Sequence, residues 1–159
     1  MKILHVFTIP ATAETFFDRQ FGYLAENGHQ ITVIANAPLD PDFCRRNKVD
    51  SDTAPIARKI SPLSDLKAIA AIRRKIIREN YNTVVGHTPK GAMVAMMAAL
   101  LARTPHRVYY RHGLIYTTAT GLRRTLLKTV ERLTSLCATD IVNVSPSLSL
   151  LAVKDHLNP

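Results

Sequence analysis

Residues 83–113 read TVVGHTPKGAMVAMMAALLARTPHRVYYRHG, and this stretch decides the fold. Thr83–Gly86 is a short apolar run of the kind that makes a strand buried on both faces. Pro89–Ala102 is rich in alanine and methionine and poor in polar side chains, which reads as a well-buried helix. Thr88 is placed to cap that helix, and Pro89 suits a first turn that needs no amide hydrogen. Arg107–Tyr110 is a second strand. Strand, helix and strand in succession form a β-α-β unit, with parallel strands and a right-handed crossover.

The same alternation extends in both directions. Toward the N-terminus, Lys2–Phe7 is an apolar strand followed by a loop, Thr8–Ala13. Phe17, Phe21 and Leu24 then fall at helical spacing before an Asn27-Gly28 stop, and Gln30–Ala35 is the next strand. Asn36–Pro55 is a polar connection with four aspartates and a helical turn near Asp42–Arg46, and Ile56–Ile60 reads as a weak strand. Ser64 is a candidate cap for a helix ending near Glu79, with Leu66, Ile69, Ile72 and Ile76 facing inward. Toward the C-terminus, Gly121–Ala138 is an amphipathic helix with Leu122, Leu126, Val130, Leu133 and Cys137 inward. Asp140–Val144 and Pro146–His156 complete the chain as strand and helix. The expected fold is α/β: a single Rossmann-like, doubly wound parallel sheet of about six strands. Its expected strand order is 3-2-1-4-5-6, with Ile3–Phe7 central.

Ligands of such sheets bind beyond the carboxyl ends of the strands. That rule selects the loops Thr8–Glu14, His87–Gly91, Arg111–Thr120 and Ser145–Ser147. Free amides at the Thr88–Gly91 helix start, with Lys90 beside them, suit an anion. A well-capped helix without a ligand is an equally good reading of the same residues. Gly86 and Gly91 have P-loop spacing, but Ala92 and Met93 stand where lysine and a hydroxyl are required, which excludes a P-loop NTPase. Arg111 and His112 arrive at the ligand edge on a strand, and Gly113 gives room to turn. A guanidinium can fork onto phosphate, and an imidazole can donate to a hydroxyl or phosphate oxygen. The alternative is a loop histidine bonded locally, which spacing alone slightly favours. The first loop has no glycine, which argues against a dinucleotide site. There is no G-x-S-x-G elbow or HExxH motif, and no metal or cofactor is expected.

Composition bounds the rest. At 159 residues, 47% hydrophobic and 21% charged, the chain has the size and apolar content of one globular domain. Its 21 lysines and arginines against 12 acids give a net charge of +9, which favours an anionic partner. Lys67, Arg74 and Arg78 share one helix face, and Arg124, Lys128 and Arg132 share another. Both read as solvated faces or as contacts to an anionic membrane surface. No aromatic interleaving or nucleic-acid module accompanies them, so no nucleic acid is expected as a partner. Cys44 and Cys137 are far apart and form neither a zinc pattern nor a disulfide framework, in keeping with a reducing compartment. The longest apolar stretch, Ala92–Ala102, is short of the ~20 residues of a membrane span. A cytoplasmic protein, peripheral on the inner face of the cell membrane, is the expectation.

With these motifs in hand, GHTPKGAMVAMMAALLARTPHRVYYRHGL (86–114), then VERL (130–133) and DIVNVSPSL (140–148), resemble the N-terminal domain of family 4 retaining glycosyltransferases of the bacterial capsule and O-antigen type. The opening KILHVFTIPATAETFFDRQFGYLAENGHQITVIA (2–35) fits the same family's first β-α-β unit. The resemblance implies one half of a two-domain GT-B fold. Residues 1–159 would then be the acceptor-side domain, with the donor-binding domain absent and the isolated chain inactive. It implies a nucleotide sugar held mainly by the missing half and a glycan or polyprenyl-diphosphate-linked acceptor on this one. His112 matches the histidine that reaches the donor sugar and is the expected catalytic residue. His87, Thr88, Pro89 and Lys90 match the acceptor loop, with Arg111 and Gly113 beside them. Thr8, Pro10 and Thr12 replace the glycine-rich first loop of some members. Two other readings stay open: a membrane-recruiting module of a split transferase, and a small basic nucleic-acid-binding domain.

Overall fold

The computed structural model describes residues 1–59 and 61–158. Six strands pair in parallel: β1 (Lys2–Val6), β2 (Gln30–Ala35), β3 (Val49–Thr53), β4 (Thr83–His87), β5 (His106–Arg111) and β6 (Asp140–Asn143), in the order β3-β2-β1-β4-β5-β6. This is the expected doubly wound order, with the first strand at the centre of the sheet. The helices are α1 (Pro10–Phe16), α2 (Gln20–Glu26), α3 (Pro41–Asn47), α4 (Pro62–Glu79), α5 (Pro89–Leu101), α6 (Gly121–Cys137) and α7 (Pro146–Lys154), with a 3-10 turn at Ile115–Thr118.

Alternation along the strands divides the core in two. Leu4, Val6 and Val84 point to one face, where they pack with Ile69, Ile72 and Ile76 of α4 and the alanines of α5. Phe7, Ile31 and Val33 point to the other, packing with Phe17, with Phe21 of α2 and with Phe43 of α3. Gly86 lets α5 lie flat on the sheet, because a Cβ there would come 2.7 Å from the Ala92 Cα.

Several expectations need correction. The third strand is Val49–Thr53, not Ile56–Ile60. Residues 56–59 lie outside any helix or strand, and Ile60 lies outside the described residues. Helix α3 ends on Lys48 in the left-handed region, which turns the chain back beside β2. The loop expected at Thr8–Ala13 is helical from Pro10, and Arg19, also at positive φ, separates α1 from α2. Ser61, not Ser64, precedes α4; Ser64 donates its hydroxyl to the Pro55 carbonyl. Leu66 is exposed while Ile69, Ile72 and Ile76 are buried.

The largest reversal is α6. Leu122, Leu126 and Leu133 are exposed, and the helix buries Glu131, Thr134 and Ser135 instead. Two partners of Arg111 lie on that face, so the helix is turned by a polar demand from the sheet.

Candidate functional site

β1, β4 and β5 end together, and their outward loops form an elbow at His87-Thr88. Thr88 carries φ 59° and ψ 150°, a backbone conformation rarely adopted by a side-chain-bearing residue. Such strain costs of order 1–3 kcal/mol and survives only when the surroundings over-determine it. Here they do. The Thr88 hydroxyl donates to the His87 carbonyl and accepts from the Thr8 amide at 3.2 Å and the Thr8 hydroxyl at 2.7 Å. The Thr8 hydroxyl in turn accepts from the Gly91 amide at 3.1 Å. Thr88 therefore stands at the N-cap without making a side-chain capping bond, and one amide expected to await an anion is taken by Thr8. A Cβ on Gly91 would come 2.9 Å from the Phe7 carbonyl carbon, so this glycine serves the approach of α5 to the first strand.

Lys90 does not stand free either. Its ammonium pairs with Asp65 of α4, and both side chains are largely buried. Pro89 and Lys90 form one wall of a groove of 580 Å³, shared with Met93, Ile115, Leu126, Leu127 and Val130. Arg58, Lys59 and Arg123 also line it, and Asp65 is the one acid among the lining residues. Thr8 sits half-buried in the loop between β1 and α1, and Pro10 and Thr12 half-buried in the first turns of α1. No hydrogen bond from the Thr12 side chain is formed to the described residues of the elbow.

Arg111 is the clearest departure from the sequence reading. It is wholly buried, on the face of β5 opposite His112. Its Nε donates to Glu131 at 2.8 Å, its Nη2 to the Ser135 hydroxyl at 2.7 Å, and its Nη1 to the side-chain oxygens of Asn143 and Asn158. The Tyr109 hydroxyl donates to the same Glu131 oxygen at 2.8 Å. Burial pushes the Glu131 carboxyl above the usual carboxylate range, while the Tyr109 hydroxyl and the Arg111 cation pull it down. This guanidinium joins β5 to α6, and its Nε, Nη1 and Nη2 are all engaged by protein side chains.

His112 does face the open edge. It is half-buried, beside Tyr110 and Phe17, and a Cβ on Gly113 would meet nothing within 4 Å. Behind it lies an arrangement that the sequence reading missed. His112 Nε2 is 3.2 Å from His87 Nδ1, and His87 Nε2 is 2.8 Å from His5 Nδ1. The three imidazoles climb diagonally across β1, β4 and the end of β5. His87 is sandwiched tightly, stacking on Phe7 at 4.1 Å and 4°. Burial holds all three below the ordinary imidazole value: His5 is pushed down to about 3, His87 is well below, and His112 is lowered. All three are neutral at pH 7. The available signal was a polar residue, His5, inside an apolar strand whose parallel register with β4 puts it on the same face as His87.

The rings at this edge can hold and orient an oxygen-rich ligand. Among the described residues, no group of three or more His, Cys, Asp or Glu is disposed to hold a metal ion, and no helix is long and apolar enough to cross a membrane. The basic helix faces are less free than they look in sequence: Lys128 pairs with Asp155 at 3.0 Å, and Arg78 with Glu79 at 2.9 Å.

Comparison with known proteins gives the fold a family. The chain is 26% identical over 159 residues to the capsular polysaccharide biosynthesis glycosyltransferase CapM of Staphylococcus aureus, covering 98% of this chain and 40% of that protein. The chain thus spans about two fifths of the length of that relative. Among solved structures, Anabaena HepE in complex with UDP and glucose matches with a TM-score of 0.68 at 17% identity, over 100% of this chain and 43% of that one. The UDP-GlcNAc 2-epimerase of Methanocaldococcus jannaschii matches at 0.60 and 12% identity, over 100% and 45%. HepE and an epimerase share this architecture, so the fold alone assigns no activity. Residues 12–154 match the glycosyl transferase 4-like domain. The chain belongs to that family.

Proposed function

We propose that this domain is the acceptor-side half of a retaining glycosyltransferase that moves a sugar from a nucleotide donor to a lipid-linked acceptor in surface polysaccharide synthesis. The observation that carries this reading is the groove beside the elbow. Met93, Ile115, Leu126, Leu127 and Val130 offer apolar wall, while Arg58, Lys59, Lys90 and Arg123 bring four cations against the single acid Asp65. An apolar trough with a cationic rim is complementary to a diphosphate on a hydrocarbon chain and poorly suited to a neutral glycan alone.

In this reading Pro89 and Lys90 wall the groove, the Thr8–Thr88 clasp holds the elbow that carries them, and His112 reaches past Gly113 toward the donor sugar. Family membership and the capsule role named for CapM support sugar transfer, and the UDP and glucose held by HepE support a nucleotide sugar as donor. The donor would be gripped mainly outside these residues. The domain's own contribution is placement of the acceptor and a hydrogen bond to the sugar or to the departing diphosphate. Exposed Ile115 and Leu126, with Leu122 one turn earlier on α6, suit the same groove to an anionic membrane surface from which a lipid-linked acceptor would be drawn.

Calorimetry on the 159-residue chain tests the groove. Farnesyl diphosphate should bind more tightly than either farnesol or inorganic diphosphate, and Arg58→Glu with Lys59→Glu and Arg123→Glu should remove that preference. Equal binding of farnesyl diphosphate and inorganic diphosphate would overturn the lipid-linked assignment.

A further inference from the structure

The three imidazoles hold one another's hydrogens, and the sealed end of the row dictates which way they point. A neutral imidazole carries one N–H and one bare nitrogen. Two orientations therefore satisfy both contacts. In the first, His112 Nε2–H donates inward to His87, and His87 donates on to His5 Nδ1. His5 must then carry its hydrogen on Nε2. In the second, His5 Nδ1–H donates to His87 Nε2, and His87 Nδ1–H donates to His112 Nε2. His112 must then carry its hydrogen on Nδ1.

The two differ at the ends. His5 Nε2 is sealed and has no hydrogen-bond partner among the described residues. The first orientation strands an N–H there; the second leaves a bare lone pair. Buried N–H groups without partners are the rarer and more costly of the two. Phe21, whose ring meets His5 at 4.8 Å and 62°, is the neighbour that could take that hydrogen on its π face, and such a contact recovers less than an N–H···O bond. At the other end, His112 Nδ1 has no partner among the described residues and, unlike His5 Nε2, is not among the sealed atoms. Solvent or substrate can satisfy it. Burial keeps all three rings neutral, so no second proton blurs the choice.

We propose that His87 is a positioning residue: it donates Nδ1–H to His112 Nε2 and so holds His112 as the Nδ1–H tautomer, a fixed hydrogen-bond donor to an oxygen of the substrate at the open edge. The functional part rests on the reading of His112 as a substrate contact; the tautomer itself does not. The nitrogen facing the edge already carries its hydrogen. His112 therefore offers a hydrogen bond to a sugar hydroxyl or phosphate oxygen and cannot act there as a base.

Long-range ¹⁵N–¹H correlation spectra of the histidine-labelled 159-residue chain at pH 7 test this directly, because the two ring nitrogens of each tautomer differ widely in shift. His112 in the unsubstituted protein should show Nδ1 protonated, in excess over the other form by more than about fivefold. His87→Asn sets an amide donor near the position of Nδ1 and should keep that excess. His87→Ala opens the inner side of His112 to water and should bring the two forms toward parity. Folding of each variant is read from its amide spectrum. A predominantly Nε2-protonated His112 in the unsubstituted protein overturns the proposal, and no variant is needed to see it. An Nδ1–H excess that persists in folded His87→Ala overturns the role of His87. Neither result touches the groove assignment, which stands or falls on lipid diphosphate binding.

Discussion

Arg111 and His112 are adjacent in sequence and go to opposite fates. Arg111 turns to one face of the sheet and is wholly buried against Glu131, Ser135, Asn143 and Asn158. His112 turns to the other, half-buried, with one ring nitrogen backed by His87 and the other open. Alternation along a strand sends neighbours to opposite faces. A cation and an imidazole delivered by one strand end therefore need not serve one site. The chemically stronger phosphate ligand of the two is the structural one, and the exposed neighbour is the candidate for substrate.

The largest expected effect lies on the sealed side. Arg111→Met leaves the Glu131 carboxylate buried without its cation, and breaking such a pair costs about 3–5 kcal/mol. In a domain of this size each kcal/mol lowers Tm by ~2–4 °C, so thermal unfolding should move down by roughly 6–20 °C. Adding Glu131→Leu removes the stranded charge, and the double variant should recover much of the loss. A Tm for Arg111→Met within a degree or two of the parent would mean that this guanidinium is not a keystone, and would return it to the list of possible ligands.

The two faces should also answer acid differently. His5 and His87 are held far below the unfolded value of 6.5, so between that pH and their folded values the unfolded chain binds more protons than the folded one. Stability is then present above about pH 6.5 and is lost as pH falls, by up to ~1.4 kcal/mol per pH unit for each ring. Glu131 has the opposite sign. Its raised folded value adds stability at low pH, which is lost as pH rises through that value. Carboxylates held low, such as Glu79, lowered from 4.5 to about 2, lose their contribution only as pH falls between those two values. Urea unfolding of the parent and of His5→Leu between pH 7 and 5 picks out the histidine contribution, because the Glu131 contribution is common to both. His5→Leu should flatten the slope there by about one proton. Equal slopes for the parent and His5→Leu would show that His5 titrates normally.

The sequence shows part of this division and hides the rest, for physical reasons. Buried strands announce themselves because both faces must be apolar, as in Ile31–Ala35. The edge strand Val49–Thr53 does not: Val49 is its one buried residue, and it carries Asp50 and Asp52, while the apolar residues at Ile56 and Ile60 imitate a strand. The leucines of α6 have helical spacing and still face out, because Arg111 draws Glu131 and Ser135 inward from twenty or more residues away. Pattern rules see periodicity within a segment and cannot see a polar partner supplied by another. The site residues split the same way. Topology puts His87, Thr88 and His112 at the carboxyl ends of β4 and β5, where the structure has them. His5, Arg58, Lys59 and Arg123 join it only through pairing and folding-back that no local motif records.

A smaller contrast separates two glycines of the edge. Gly91 packs where a Cβ would lie 2.9 Å from the backbone carbon of Phe7 and 3.0 Å from the Thr8 amide, neither of which can swing aside. Gly91→Ala should therefore cost about 1–3 kcal/mol, the usual range for overpacking, and loosen the Thr8–Thr88 clasp. An unchanged urea midpoint would show that α5 can shift away from the elbow at no cost.

Gly113 should give the smallest stability change. Its φ lies outside the left-handed region, and a Cβ would meet nothing within 4 Å. Gly113→Ala should leave stability within about 0.5 kcal/mol, or raise it slightly by restricting the unfolded chain. In the proposed reading the substrate approaches His112 past Gly113, so the methyl group would occupy room that it needs. In a protein carrying this domain together with the proposed donor half, the variant should fold normally and still lose sugar-transfer rate per folded molecule. A Gly113→Ala variant with full stability and full rate would place the substrate elsewhere along the edge, and would leave His112 with a structural role like that of its neighbour Arg111.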